Sequence, residues 1–354
     1  MKNKTKGLLA AYGMVLPAFL VVMLTVAYPI VSAVIQSFQD EDTGAFTTAN
    51  YTYFFTETAQ RNNLLYTLFV VIVTVVIAIV LAYLLALYLR FVKSRISRAI
   101  GMLYLLPRFV PTLCAVYAMI TIIRDSGLIN RIGLLFGLDI KLGLMYHASG
   151  IIVMNMWFNI PFATMMIAAG LGAIPDSIIE ASRDSGAGRW KTFTSMILPL
   201  SMKDVVVAST FVFMSNVGSF TTPYLMGGNS PKMLGIALYD QFNKYLSYNR
   251  SAALSVIMFL IMAGGLGFMV WVEIGEWRKK RHLSLHARMV LLFSCILWVG
   301  GAVLIGLMEW NNPASMGGLS VPGKLMAALK ARQRKGQAGA QLPEGAVADE
   351  LDDY

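Results

Sequence analysis

Glu180, Arg183 and Asp184 lie together in one short polar stretch, beside Ala181 and Ser182, and lead into Gly186, Gly188, Trp190, Phe193 and Ile197. No histidine base stands near its serines and no nucleophile motif is recognisable, so the set suits recognition rather than bond-breaking. Ser177 and Glu180 have the S-x-x-E spacing of a capping box, which predicts a helix start. Gly186 and Gly188 supply its stop, because glycine tolerates the left-handed conformation after a helix. A second helix then starts near Arg189 with Trp190, Phe193 and Ile197 on one face, and Pro199 marks its end or a kink. A charged helix beside an aromatic face suits a partner's groove. Packing of that helix on its own bundle is the plainer alternative.

A second group of polar and aromatic residues falls within apolar runs: Tyr117, Asn155, Trp157, Asn159, Asn216, Ser219 and Phe220. Asn155 and Asn159 are four apart, on one helix face just before Pro161. Such side chains in lipid point into a bundle, either as contacts along a translocation path or as glue between helices, and glue is the commoner role. No Asp or Glu stands in the middle of the first six apolar runs.

Other motifs fail on their chemistry. Residues 318–324 copy most of a phosphate loop, but Leu325 replaces the hydroxyl that would hold Mg²⁺, and a proline sits inside it. ATP and Mg²⁺ therefore belong on a separate chain, and no cofactor is expected on this one. His282 and His286 lack a third metal ligand. His147 has no nucleophile motif nearby. Cys114 and Cys295 both sit in apolar runs and imply neither disulfide nor metal.

The elements that must carry these residues are membrane helices. Of 354 residues, 57% are hydrophobic and only 14% charged. The apolar residues come in blocks, and the mean hydropathy is +0.63. This excludes a soluble enzyme and a disulfide-stapled domain. The net charge of +10 reflects basic cytoplasmic loops rather than nucleic-acid binding. Spans are predicted at residues 8–38 (a retained helix rather than a signal peptide), 64–89, 100–123, 149–173, 204–226 and 251–271. A seventh run at 289–308 is long enough to span or to lie in the interface. Lys and Arg favour the side holding the N-terminus by roughly two to one, which makes the N-terminus cytoplasmic. The loops at 125–144 and 227–249 fall outside and have helical patterning. Four segments result: 1–63 with the first span, a core at 64–276 containing the loop at 174–199, a basic segment with the seventh run at 277–310, and a disordered tail at 311–354.

The loop resembles the EAA motif of permease subunits of binding-protein-dependent ABC importers, E-A-A-x3-G-x9-I-x-L-P. Glu180, Ala181, Gly186, Leu198 and Pro199 match at full spacing, Ser182 replaces the second Ala, and Met196 stands at the Ile position. The resemblance implies an all-α six-span permease bundle, with the seventh run and acidic tail outside the common pattern. It implies a coupling helix, with Glu180, Ala181, Ser182, Arg183, Asp184 and Gly186 docking into a cleft of a cytoplasmic ATPase dimer. A second permease subunit, an external solute-binding protein and a multi-pass place in the cytoplasmic (inner) membrane follow from the same resemblance.

A narrower resemblance lies in residues 218–228, Gly-Ser-Phe-Thr-Thr-Pro-Tyr-Leu-Met-Gly-Gly. They look like the G-x-F-x-T-P-x-L-x-G-G stretch of spermidine/putrescine-type permeases, as does Ala252-Ala-Leu-Ser-Val256. A polyamine is the solute this favours. Carbohydrate-type permeases share the loop and stand as the alternative. A secondary transporter is a further rival, but lacks the ionisable groups within the membrane that ion coupling calls for.

Overall fold

A computed structural model describes residue 17 and residues 19–280. The N-terminal lysines, Cys295, the histidine pair, the seventh run, the tail and the phosphate-loop-like stretch lie outside the described residues. The described residues hold helices and no strand; an isolated antiparallel bridge joins Gln39 and Phe46.

The chain divides into two compact units, residues 51–284 and the remainder. In the remainder, α1 (Phe19–Ser37) is an apolar helix long enough to cross a membrane. Asn50 donates its side-chain amide to the Ser37 and Gln39 carbonyls at 3.0 and 2.8 Å, closing the turn that follows α1. A short helix, α2 (Ala49–Thr56), comes next.

The larger unit is built on α3 (Thr58–Phe91), a helix of 34 residues. Its faces differ in size. Ala78, Ala82 and Ala86 recur every four residues and are fully buried. Leu65, Phe69, Ile72, Val76, Val80 and Leu84 form an exposed apolar stripe. Small residues let helix backbones approach where lipid gives no hydrophobic drive. The alanine face packs on α7 (Ala148–Gly172) and α9 (Arg189–Val217) through Ala163, Ile167, Leu171, Ala208 and Val212. At the other end, Val70 and Val71 pack with Ile151, Ile152 and Val217.

Several sequence boundaries shift. The run at 100–123 is not one helix. α4 (Arg95–Leu103) is capped by Ser94, whose Oγ accepts from the Ser97 amide at 3.0 Å. A tight turn over Leu106–Phe109 follows, and α5 (Thr112–Ile123) begins after Pro111. Pro107 and Pro111 cannot donate the backbone bonds that a helix through them needs. The apolar window there extends instead through α6 (Leu128–Leu135), giving Thr112–Leu135. α6 confirms helical structure in the loop at 125–144. The fifth span starts at Arg189 rather than residue 204 and stops at Val217, because Gly218 ends it; α10 (Thr221–Met226) is separate. α11 (Leu234–Tyr239) and a π turn (Asp240–Lys244) fill the loop at 227–249. The last helix, α12, runs Tyr248–Lys280. With α1, α3, α7, the 112–135 stretch, α9 and the start of α12, six helical stretches among the described residues are long and apolar enough to cross a membrane.

Gly170 tests the packing. A Cβ there would collide with the Asp204 carboxylate from α9, whereas a Cβ on Gly172 meets nothing within 4 Å. Gly170→Val is expected to force α7 and α9 apart and lower the Tm of the detergent-solubilised protein by several degrees, and Gly172→Ala to leave it within a degree or so. Thermal unfolding of the two variants side by side checks this.

Candidate functional site: the loop between α7 and α9

α7 ends at Gly172 and the chain turns through Ile174 and Pro175 into α8 (Asp176–Asp184). The capping box expected from Ser177 and Glu180 does not form. Pro175 is the N-cap residue in place of Ser177, no side chain caps it, and the helix starts two residues earlier. Proline presets the backbone entering the helix, and Asp176 places a negative charge on the positive end of the helix dipole. The expected stop is in place. Gly186 has φ +78°. Its amide donates to the Arg183 carbonyl at 2.8 Å, and the Ala187 amide to the Ser182 carbonyl at 3.1 Å. These two bonds are a Schellman motif, which satisfies carbonyls that the helix end leaves open. Gly188 then caps α9.

The two arms are stitched together. Ser182 is buried, and its hydroxyl lies 3.1 Å from that of buried Thr192 on α9. Ile179 on α8 and Ile197 on α9 enter the same core as Ile174 and Leu171. Replacement of the second motif alanine by Ser182 therefore adds an internal hydrogen bond. Of the expected aromatic face, Ile197 is buried and Phe193 packs on the core. Trp190 is 76% exposed and leans on Phe193 with ring centroids 5.6 Å apart. Pro199 neither ends nor sharply breaks the helix. A π turn over Phe193–Ile197 precedes it, and α9 runs on. A local π turn is a known way for a helix to absorb such an interruption.

The outward face of α8 carries Glu180, Ala181, Arg183 and Asp184, all exposed, with Gly186 exposed at the elbow. Among the described residues, no ion pair or side-chain hydrogen bond engages Glu180, Arg183 or Asp184. The result is a rigid elbow with a charged outer face and an exposed tryptophan beside it. Leu198 is half-buried against the core and Pro199 is exposed; both shape α9 rather than the outer face.

The residues expected along a path divide into three. Asn155, Asn159 and Asn216 come together, all buried. Asn159 donates to the Asn155 carbonyl at 2.8 Å and to the Asn216 side-chain oxygen at 3.3 Å, tying α7 to α9. The Asn155 side-chain nitrogen is buried without a partner. Tyr117 and Trp157 are exposed and stand apart from this network. Ser219 and Phe220 lie just past α9, where the Phe220 ring packs with Tyr224 and Tyr239 at centroid distances of 5.0 and 5.2 Å. Tyr224 and Tyr239 escaped the sequence reading because their nearness depends on how α10 and α11 fold back.

In the loop at 227–249, Lys232 pairs with Asp240 at 2.6 Å. Asn63 and Thr67 of α3 accept from the Lys232 and Leu234 amides at 2.7 and 2.9 Å. The Lys141 ammonium, with the Asn130 amide, holds the Asp139 carboxyl below the usual carboxylate range. No group of three or more metal-ligating side chains occurs among the described residues.

A helical bundle with a rigid elbow between its fourth and fifth spans defines a membrane transport subunit. Residues 78–315 match the family described as binding-protein-dependent transport system inner membrane component, and the chain belongs to that family. It is 25% identical to the spermidine/putrescine transport system permease protein PotB of Escherichia coli (strain K12) over 222 residues, 62% of this chain and 78% of that protein. It is 28% identical to the trehalose transport system permease protein SugA of Mycobacterium tuberculosis (strain ATCC 25618 / H37Rv) over 111 residues, 31% of this chain and 36% of that protein. A chain in the crystal structure of a bacterial ABC transporter involved in the import of the acidic polysaccharide alginate superposes with a TM-score of 0.65. That match has 18% identity and covers 75% of this chain and 97% of that one, which shows a shared fold. The chain is thus a multi-pass inner-membrane permease subunit of an ABC importer.

The elbow makes a direct prediction. Nothing lies within 4 Å of a Cβ at Gly186, so the cost of a side chain there is the left-handed backbone alone. That cost is about 1–2 kcal/mol for a β-branched residue and less for Asn. Gly186→Val is expected to loosen the elbow, read as faster amide hydrogen exchange confined to residues 182–192, while Gly186→Asn stays close to wild type.

Proposed function

We propose that this subunit forms half of the membrane path of a polyamine importer, and that α8 is its docking helix for a cytoplasmic ATPase. The docking reading is carried by one observation: a charged helix face that the other described residues leave unengaged, on an elbow braced by a Schellman motif and the Ser182–Thr192 bond. Glu180, Ala181, Arg183, Asp184 and Gly186 form the docking face, Ser182 braces it from within, and Leu198 and Pro199 set the return helix. ATP and Mg²⁺ reside on the ATPase dimer, and this chain carries no cofactor. A second permease subunit completes the path, an external binding protein delivers the solute, and the N-terminus is cytoplasmic.

ATP binding then acts as a population shift. Nucleotide must favour one packing of the bundle by several kcal/mol to switch it from mostly inward-facing to mostly outward-facing. The polyamine class rests on the spermidine/putrescine relatives, which match over twice the length of the trehalose relatives. The Asn155, Asn159 and Asn216 network serves as glue between α7 and α9 in this account. Selectivity then falls mainly to the binding protein.

Glu180→Lys reverses the charge on the exposed face without touching the core. The variant is expected to insert normally but to lose the ATPase in a mild-detergent pull-down and to cut substrate-stimulated ATP hydrolysis at least tenfold. Retention of the ATPase at wild-type ratio, with normal stimulation, overturns the docking reading. For the solute, a binding protein recovered with the complex should gain thermal stability with spermidine or putrescine. Stabilisation by a disaccharide instead moves the assignment to the carbohydrate type.

A further inference from the structure

One side chain joins three elements at the cytoplasmic end of the bundle. Arg90, in the last turn of α3, donates through Nη2 to the Asp176 carboxylate at 2.6 Å and to the Ile174 carbonyl at 3.2 Å. Its Nε donates to the Leu171 carbonyl at 3.4 Å. Leu171 and Ile174 flank the C-terminus of α7, and Asp176 opens α8. The guanidinium therefore sits at the negative end of one helix dipole. Its carboxylate partner sits at the positive end of the next, so both charges are favoured where they stand. The Asp176 carboxylate is 65% exposed, so solvent screens the ion pair and it alone contributes little. The carbonyl bonds supply the geometry, because a planar guanidinium can hold several acceptors in one fixed arrangement.

Seven residues earlier, two turns back along α3, Tyr83 engages the other arm. Its hydroxyl lies 2.8 Å from the buried Ser201 hydroxyl of α9, and its ring meets Phe193 edge-on with centroids 6.1 Å apart. The spacing places Arg90 and Tyr83 on the same side of α3. One helix thus grips the loop at both ends, with Arg90 on the arm that enters α8 and Tyr83 on the arm that leaves it.

We infer that α3 is the element that receives the movement of α8, with Arg90 and Tyr83 as positioning residues that make loop and helix one rigid body. The inference rests on the docking role given to α8 above. A force on α8 passes through this two-point mount into the full length of α3. It does not dissipate in the turn at Gly172–Pro175. From there it reaches the outer side, where Asn63 and Thr67 hold the segment that leads into α11. α3 thereby links the cytoplasmic elbow to the outer loop through bonds at both of its ends.

Spin labels at Ser177→Cys on α8 and Leu65→Cys near the far end of α3, with Cys114→Ser and Cys295→Ser, test this in the assembled importer. The labels stand on the order of 40 Å apart, at 1.5 Å rise per residue. Pulsed electron resonance is read without nucleotide and after trapping with ATP and vanadate. A single narrow distance, the same in both states, is expected with Arg90 and Tyr83 intact. Arg90→Met combined with Tyr83→Phe should broaden it and let it shift by several ångströms on trapping. Arg90→Lys, which keeps the charge but loses the fork, should fall between. A wild-type distance that shifts on trapping, or a double variant as narrow and as fixed as wild type, overturns the inference. The nucleotide-free widths decide the mount even if no ATPase binds. ATPase recovery with the wild-type chain reports separately on the docking reading.

Discussion

The close approach of α3, α7 and α9 is the constraint on which the other features depend. In lipid, helices gain little from hiding apolar surface, so association relies on van der Waals contact and buried polar bonds. Ala78, Ala82 and Ala86 on α3 and Gly170 on α7 remove side chains where backbones must meet. Larger residues at those positions would separate the helices and pull apart the polar contacts between them. The Asn159–Asn216 and Tyr83–Ser201 bonds form only at that separation. The large apolar residues of α3 face outward from the bundle.

The loop between α7 and α9 inherits its rigidity from the same packing. Ile174, Ile179 and Ile197 extend the bundle core into the loop. Ser182 and Thr192 close it with a hydrogen bond, and Gly186 allows the reversal. Its inward face is thus spent on its own protein, and its outward face is left charged. This division of faces makes the elbow stiff. The loops at 125–144 and 227–249 differ in how they are held. The segment before α11 hangs from side chains of α3, whereas the turn after α6 is held by the Asn130, Asp139 and Lys141 contacts within the loop itself.

Much of this was legible in residue order. Long apolar blocks announced membrane helices, and the fourth span was placed to within a residue, because the helix runs through its internal Pro161 and ends where the apolar block ends. Gly186 as a helix stop was equally legible, since a positive φ has few solutions. The errors cluster where a local signal competes with packing. Ser177 and Glu180 have capping-box spacing, yet Pro175 and the Arg90–Asp176 contact start the helix earlier. Pro199 reads as an end or a kink, and of the two the end is overturned, because the π turn before it lets α9 continue as a core helix. The run at 100–123 looks uniform in hydropathy, although Pro107 and Pro111 interrupt it.

Sequence by itself determined the class of the molecule, the presence of six apolar spans among the described residues and the position of the elbow. Each depends on quantities summed along the chain or on residues with narrow backbone choices. Tertiary structure alone decided which polar residues meet. Arg90 read as one more basic loop residue and Tyr83 as one more aromatic in an apolar run. Their joint grip on both arms of the loop arises because α3 crosses between α7 and α9 within hydrogen-bond reach of each. A contact between residues more than eighty positions apart depends on how helices stack, and no pattern confined to either segment encodes it.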